Sequence, residues 1–143
     1  MTPDEIRAFC DNYALGWERR DLTALMDSYT EDCEIISPIF RTLTGRAQLE
    51  GSFRELFRAF SDYVFQIDDV IVDNERGERA VLVFTAHATH CGEIFGVPGS
   101  GKRFEIRGAF IFTFRDRRIA KDHRLYDFTA MLMKIGILKA KAS

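Results

Sequence analysis

A chain of 143 residues is long enough to bury one core, and its 46% apolar content is that of a folded protein. A mean hydropathy of −0.15 and the lack of any window of about 20 apolar residues exclude a disordered or membrane-spanning class. The net charge of −2, with no run of lysines or arginines, argues against nucleic acid and anionic membrane as partners. The first residues, Met1-Thr2-Pro3-Asp4-Glu5, are acidic, unlike a signal or transit peptide. Cys10, Cys33 and Cys91 are widely spaced and odd in number, which predicts reduced thiols in a cytoplasmic protein and no zinc site.

Thr2-Pro3-Asp4-Glu5 reads as a helix start, with Thr2 as cap and Glu5 completing a capping box. Ile6, Phe9, Cys10, Tyr13 and Trp17 follow at helical spacing and predict one inward stripe. Asp21 is placed to cap a second short helix carrying Leu22, Leu25, Met26 and Tyr29. A brief strand over 34–37 ends at Pro38. Gly45 precedes a third helix whose Leu49, Phe53, Leu56, Phe57 and Phe60 share a face. Strands are predicted over 63–72, 79–91, 102–115 and 119–128, with turns at 73–77 and 116–118 and a glycine-rich loop over 92–101. A last helix holds Met131, Leu132 and Ile135. Helices first and antiparallel strands after imply one α+β domain over 1–143, a curved sheet half-closed over its helices, with a concavity suited to a small molecule.

Two stretches resemble a known family. Residues 13–22 with Tyr29-Thr30-Glu31-Asp32-Cys33 are similar to the opening helices of the nuclear-transport-factor-2-like superfamily. His90-Cys91-Gly92-Glu93-Ile94-Phe95-Gly96-Val97-Pro98, the phenylalanine-rich strand after Gly101-Lys102, then Ile119, Asp127, Met131 and Ile135-Gly136 resemble the SnoaL-like polyketide cyclases. The resemblance implies a cone-shaped sheet packed on three N-terminal helices. It implies that Asp127 is the general acid/base of an intramolecular ring closure, with no metal or cofactor. Related folds argue by subtraction: the base aspartate of ketosteroid isomerases falls at Ser37, and two essential residues of limonene epoxide hydrolases fall at His90 and Gly92.

The candidate catalytic residues are therefore Asp127 and His90. Asp127 follows Tyr126 in an apolar segment that should raise its pKa, although a helix cap is the plain alternative. His123, four residues earlier, shares a strand face with Asp127. His87 and His90 fall on opposite faces, which argues against a metal pair; His90 is taken as the pocket residue, with surface or core histidines as the alternative. Tyr13, Trp17, Phe53, Phe57 and His123 are expected to line the pocket, although aromatics at helical spacing also serve simply as core. The expected activity is a cofactor-free cyclase- or isomerase-like reaction on a hydrophobic carbonyl compound. The alternatives are a His/Tyr dehydratase similar to scytalone dehydratase, or a non-catalytic carrier. Apolar residues on both faces of the strand holding Phe110, Ile111, Phe112 and Phe114 predict a homodimer.

Overall fold

In the computed structural model, which describes residues 1–75 and 78–139, the capping pattern at the start of the chain closes as its chemistry requires. The Glu5 N–H donates to Thr2 Oγ1 at 3.1 Å and the Thr2 N–H to Glu5 Oε1 at 3.0 Å. Pro3 then opens helix α1 (Pro3–Arg19), which buries Ile6, Cys10, Tyr13, Ala14 and Trp17. Asp21 caps α2 (Leu22–Asp27) by accepting from the Ala24 N–H. Tyr29, expected on this helix, instead starts strand β1 (Tyr29–Ser37). The Ser28 carbonyl already accepts from the Ile119 N–H at 2.8 Å, so the chain has joined the sheet by that point.

A four-residue strand that the sequence did not suggest, β2 (Arg41–Thr44), folds back on β1 and leads into α3 (Gly45–Ala59). The long strands β3 (Phe60–Asp73), β4 (Arg79–His90), β5 (Arg103–Arg115) and β6 (Arg118–Tyr126) follow, and α4 (Phe128–Lys134) comes last. The turn expected over 73–77 lies partly outside the described residues. The strands form one curved, unclosed sheet in the order β2-β1-β6-β5-β4-β3, the α+β cone of the nuclear-transport-factor-2-like type. Four of its neighbour pairs are antiparallel, but β1 runs parallel to β6, a departure from the all-antiparallel sheet expected. No helix among the described residues is long and apolar enough to cross a membrane.

Phe110, Phe112 and Phe114 alternate along β5 onto the concave face, where Phe9 and Tyr13 of α1 pack on them edge to face. Ile111 points the other way, half-buried on the convex face. Gly108 sits opposite Tyr126, and a Cβ there would fall 2.3 Å from the Leu125 carbonyl oxygen, so only glycine lets the strands meet.

The pairing of β5 with β6 decides which side chains enter the interior. Phe114 pairs with Ile119, yet Thr113 pairs with Lys121. One strand advances a single residue while the other advances two, so Ala120 is the extra residue of a bulge. An added residue exchanges the faces of everything beyond it. Ile119 is buried before the bulge; after it Asp122 and Arg124 are buried, while Lys121 and Leu125 are exposed.

Candidate functional site

The concave face, the helices and the β1–β2 turn leave a cavity of ≈ 70 Å³. Its wall is made by Trp17 of α1, Leu56 of α3, Phe60, Tyr63 and Phe65 of β3, and Phe84, Ala86 and Ala88 of β4. Phe104, Ile106 and Phe110 of β5, Arg124 and Tyr126 of β6, Ile39 and Met131 complete it. The space exceeds the roughly 10–15 Å³ one water needs but is far below the roughly 300–1,000 Å³ of ordinary ligand clefts. A fused-ring ligand therefore enters only if wall side chains move. His87 also borders the cavity, but its Nε2 pairs with Glu105 Oε1 at 3.3 Å. Alternation along β4 and β5 places both of those side chains on the convex face.

Behind the aromatic wall lies a buried polar cluster, and its hydrogen bonds have one consistent direction. Tyr29 Oη donates to Asp122 Oδ2 at 2.7 Å, which uses its one proton. Tyr13 Oη, 2.6 Å from Tyr29 Oη, must therefore be the donor of that pair. Arg124 donates through Nε to Asp122 Oδ2 at 2.9 Å and through Nη2 to Tyr29 Oη at 3.1 Å. The Tyr29 hydroxyl is thus saturated, with one bond donated and two accepted. Asp122 Oδ1 and the Trp17 N–H are both buried with no partner among the described residues.

Arg124 is 3% exposed and Asp122 is 0% exposed. The guanidinium carbon lies 5.1 Å from the Phe110 ring centre, 5.6 Å from Trp17 and 5.7 Å from Phe53, so aromatic faces supplement its carboxylate partner. Burial is the largest single effect and works against the charge on Arg124, but Asp122 together with Tyr29, Tyr13 and Tyr126 outweighs it and holds the pKa well above the usual guanidinium value. Burial also raises Tyr13 to about 12 and Tyr29 well above the ordinary phenol value. Tyr126 is raised by burial as well, against the opposing pull of Arg124. The cavity therefore has an apolar lining and one permanently charged group, whose Nη1 enters no hydrogen bond among the described residues.

The residues singled out in the sequence are dispersed around this arrangement. Trp17 lines the cavity, Tyr13 belongs to the polar cluster, and Phe53 packs on Trp17 and Tyr29 one layer further in. Phe57 stacks on Phe53 and meets Trp17 edge to face. His123 has the opposite parity to Asp122 and Arg124 and lies off the cavity wall, because the bulge shifted the phase of β6. Asp127 was expected to face the cavity from the strand end. It is exposed instead, and its Oδ1 caps α4 by accepting from the Ala130 N–H at 2.9 Å.

His90 has the inward parity expected of it, but residues 92–101 fold over it. Its Nδ1 accepts from the Ser100 N–H at 3.2 Å, which places the ring proton on Nε2, buried without a partner. The loop lies close because Gly99 has no Cβ: one would fall 2.3 Å from the Cys91 carbonyl oxygen. His90 is therefore sealed beneath a loop rather than open to the cavity. Asp122, Arg124, Tyr126 and Tyr29 were not singled out in the sequence. Their signal was the Asp-x-Arg-x-Tyr alternation beside the phenylalanine-rich strand, masked by Ile119 and Leu125, which suggest the opposite inward phase.

The architecture has close counterparts among solved structures. AclR from Streptomyces galilaeus, a candidate hydroxylase, superposes with a TM-score of 0.83 at 22% identity, covering 96% of this chain and 100% of its own. IdmH from Streptomyces antibioticus, a candidate polyketide cyclase, does so at 0.75 and 22% identity, covering 91% and 97%. A protein with a ketosteroid isomerase-like fold from Catenulispora acidiphila, solved with trimethylamine, gives 0.74 at 17% identity over 95% of each chain. No protein of curated function matches the sequence. The fold is thus the ketosteroid isomerase-like cone, which carries many chemistries. More narrowly, the model of the SnoaL-like polyketide cyclase family matches residues 8–135, and the chain belongs to that family.

Proposed function

We propose that this protein is a cofactor-free enzyme of cyclase or isomerase type, acting on an apolar carbonyl compound held in the cavity lined by Trp17, Phe110 and Arg124. The observation that supports this reading is the buried Asp122–Arg124 pair set against an otherwise apolar wall. A guanidinium fixed in a dry cavity stabilises negative charge developing on a carbonyl oxygen more strongly than one in water. Asp122 is not on the cavity wall; in this reading it acts through Arg124, holding the guanidinium in place and keeping it charged.

Conservative substitutions separate the two aspartates in a screen of enolisable β-dicarbonyl compounds. Asp122→Asn removes the charge that fixes Arg124 and sharply lowers turnover, whereas Asp127→Asn keeps an equally good helix cap and leaves turnover unchanged. Loss of activity in Asp127→Asn alone would return the role to Asp127. A carrier is favoured by one observation: Asp122 and Arg124 neutralise each other, and no carboxylate lines the cavity. Its signature is saturable binding with no turnover in the parent protein.

The proposal includes a homodimer formed through the convex face, where Ala109, Ile111 and Val83 are half-buried in the single chain. Light scattering at micromolar concentration should give twice the 16.5 kDa chain mass, and a monomeric mass refutes this part.

A further inference from the structure

An arginine carries five N–H donors and no acceptor. In Arg124 the bonds to Asp122 and Tyr29 use Nε and one N–H of Nη2, and Nη1 is left unspent on a side chain 3% exposed. The other polar groups of the cavity wall do not meet this need. Tyr63 Oη donates to the Leu56 carbonyl, and among the described residues neither it nor Tyr126 accepts from Arg124. Nη1 is not among the fully enclosed unpartnered atoms, so it keeps accessible surface, and an acceptor that reaches it gains a charge-assisted hydrogen bond.

We infer that the cavity ligand is a compact aromatic compound, neutral or anionic, that places an acceptor oxygen on the free Nη1 edge of Arg124, and that cationic amines are excluded. This rests on the proposed reading of the cavity as the ligand site and narrows its substrate class. Trp17, Phe65, Phe84 and Phe110 supply ring faces for an aromatic body. An ammonium group would have to shed its water beside a buried guanidinium, with no carboxylate on the wall to receive it. The space here measures ≈ 70 Å³. A cavity of about 150 Å³ accepts benzene, so entry requires wall movement. Met131, unbranched and carried on the seven-residue α4, is the side chain best able to yield.

Trp17 is the single tryptophan of the chain and lines the cavity, so its fluorescence reports occupancy directly. The probes are toluene, benzamide and benzylamine, similar in shape and differing in the polar group. Benzamide should bind about tenfold more tightly than toluene, since it gains a charge-assisted hydrogen bond, and benzylamine should give no saturable change. Arg124→Lys keeps a cation for Asp122 but removes the free guanidinium edge. It should reduce benzamide to the affinity of toluene while leaving toluene unaffected. Benzamide no tighter than toluene, or benzylamine equal to benzamide, overturns the inference while leaving the cavity reading intact. Failure of all three probes, toluene included, removes the cavity reading and this inference with it. If the lysine variant does not fold, the ranking of the three probes on the parent protein decides alone.

Discussion

Asp122 and Asp127 are five residues apart, yet they occupy opposite physical worlds. Asp122 is fully enclosed, and one of its oxygens accepts hydrogen bonds from both Tyr29 and Arg124. Asp127 is exposed at the exit of β6 and holds only the first turn of α4. The comparison shows that an acidic residue in an apolar-looking stretch says little about burial until the phase of the strand is known. A buried carboxylate must bring its cation with it, and here the cation is two residues away on the same face.

The sharpest way to test that contrast is to remove each partner in turn. Asp122→Ala leaves the Arg124 charge buried and unpaired, and urea unfolding should show a loss of about 3–5 kcal/mol. A loss as small as that of a surface mutant would mean the pair is solvated. Tyr29→Phe deletes one donor and two acceptor positions within the cluster, so about 1–3 kcal/mol should disappear in the same assay. Asp127→Ala removes only a cap, worth about 1 kcal/mol, and Asp127→Asn should restore the parent value.

Titration contrasts the interior with the surface in another way. The four tyrosines, Tyr13, Tyr29, Tyr63 and Tyr126, are all held in the neutral form by burial, with Tyr13 raised to about 12. A raised phenol contributes stability that is complete below the free value of 10.0 and is lost as pH climbs through the folded value. Absorbance at the phenolate band should therefore stay flat near pH 10 and rise together with loss of structure; an ordinary phenol titration in the folded protein contradicts the buried cluster. At the surface, Glu5 is lowered from 4.5 to about 2, first by the Thr2 backbone N–H and then by Arg117. Its contribution is present above 4.5 and fades as pH falls toward 2. Glu5→Gln should make the melting temperature less sensitive to pH across that interval, the smallest effect of the series.

Much of the scaffold was legible in the sequence because it rests on local chemistry. The Thr2–Glu5 box, the Asp21 cap, the stripe from Ile6 to Trp17 and the glycine-rich loop each carry their cause within a few residues. The interior of β6 was not legible, because the bulge at Ala120 is a property of two paired strands rather than of one. The family resemblance pointed to Asp127 and same-face spacing to His123, but the bulge gives the inward face of β6 to Asp122 and Arg124. His90 failed differently. Its parity was right, but the covering loop depends on a bond from the Ser100 backbone that no alternation pattern encodes.

The outer margins of the sheet have a consequence of their own. One margin is β2, four residues long; the other is β3, fourteen residues long. An edge strand of that length is a template on which foreign strands could nucleate fibres, although Glu18 and Asp69 already accept from the Phe65 and Val70 N–H groups. Along β3, however, stand Asp62, Asp68, Asp69 and Asp73, and its pairing is interrupted at Ser61/Val64 and Ile67/Asp69. Two such margins brought together would oppose like charges on ribbons that do not lie flat. The longest margin of the sheet is thus both charged and irregular, and replacing these aspartates with asparagine is the change that would remove its charge.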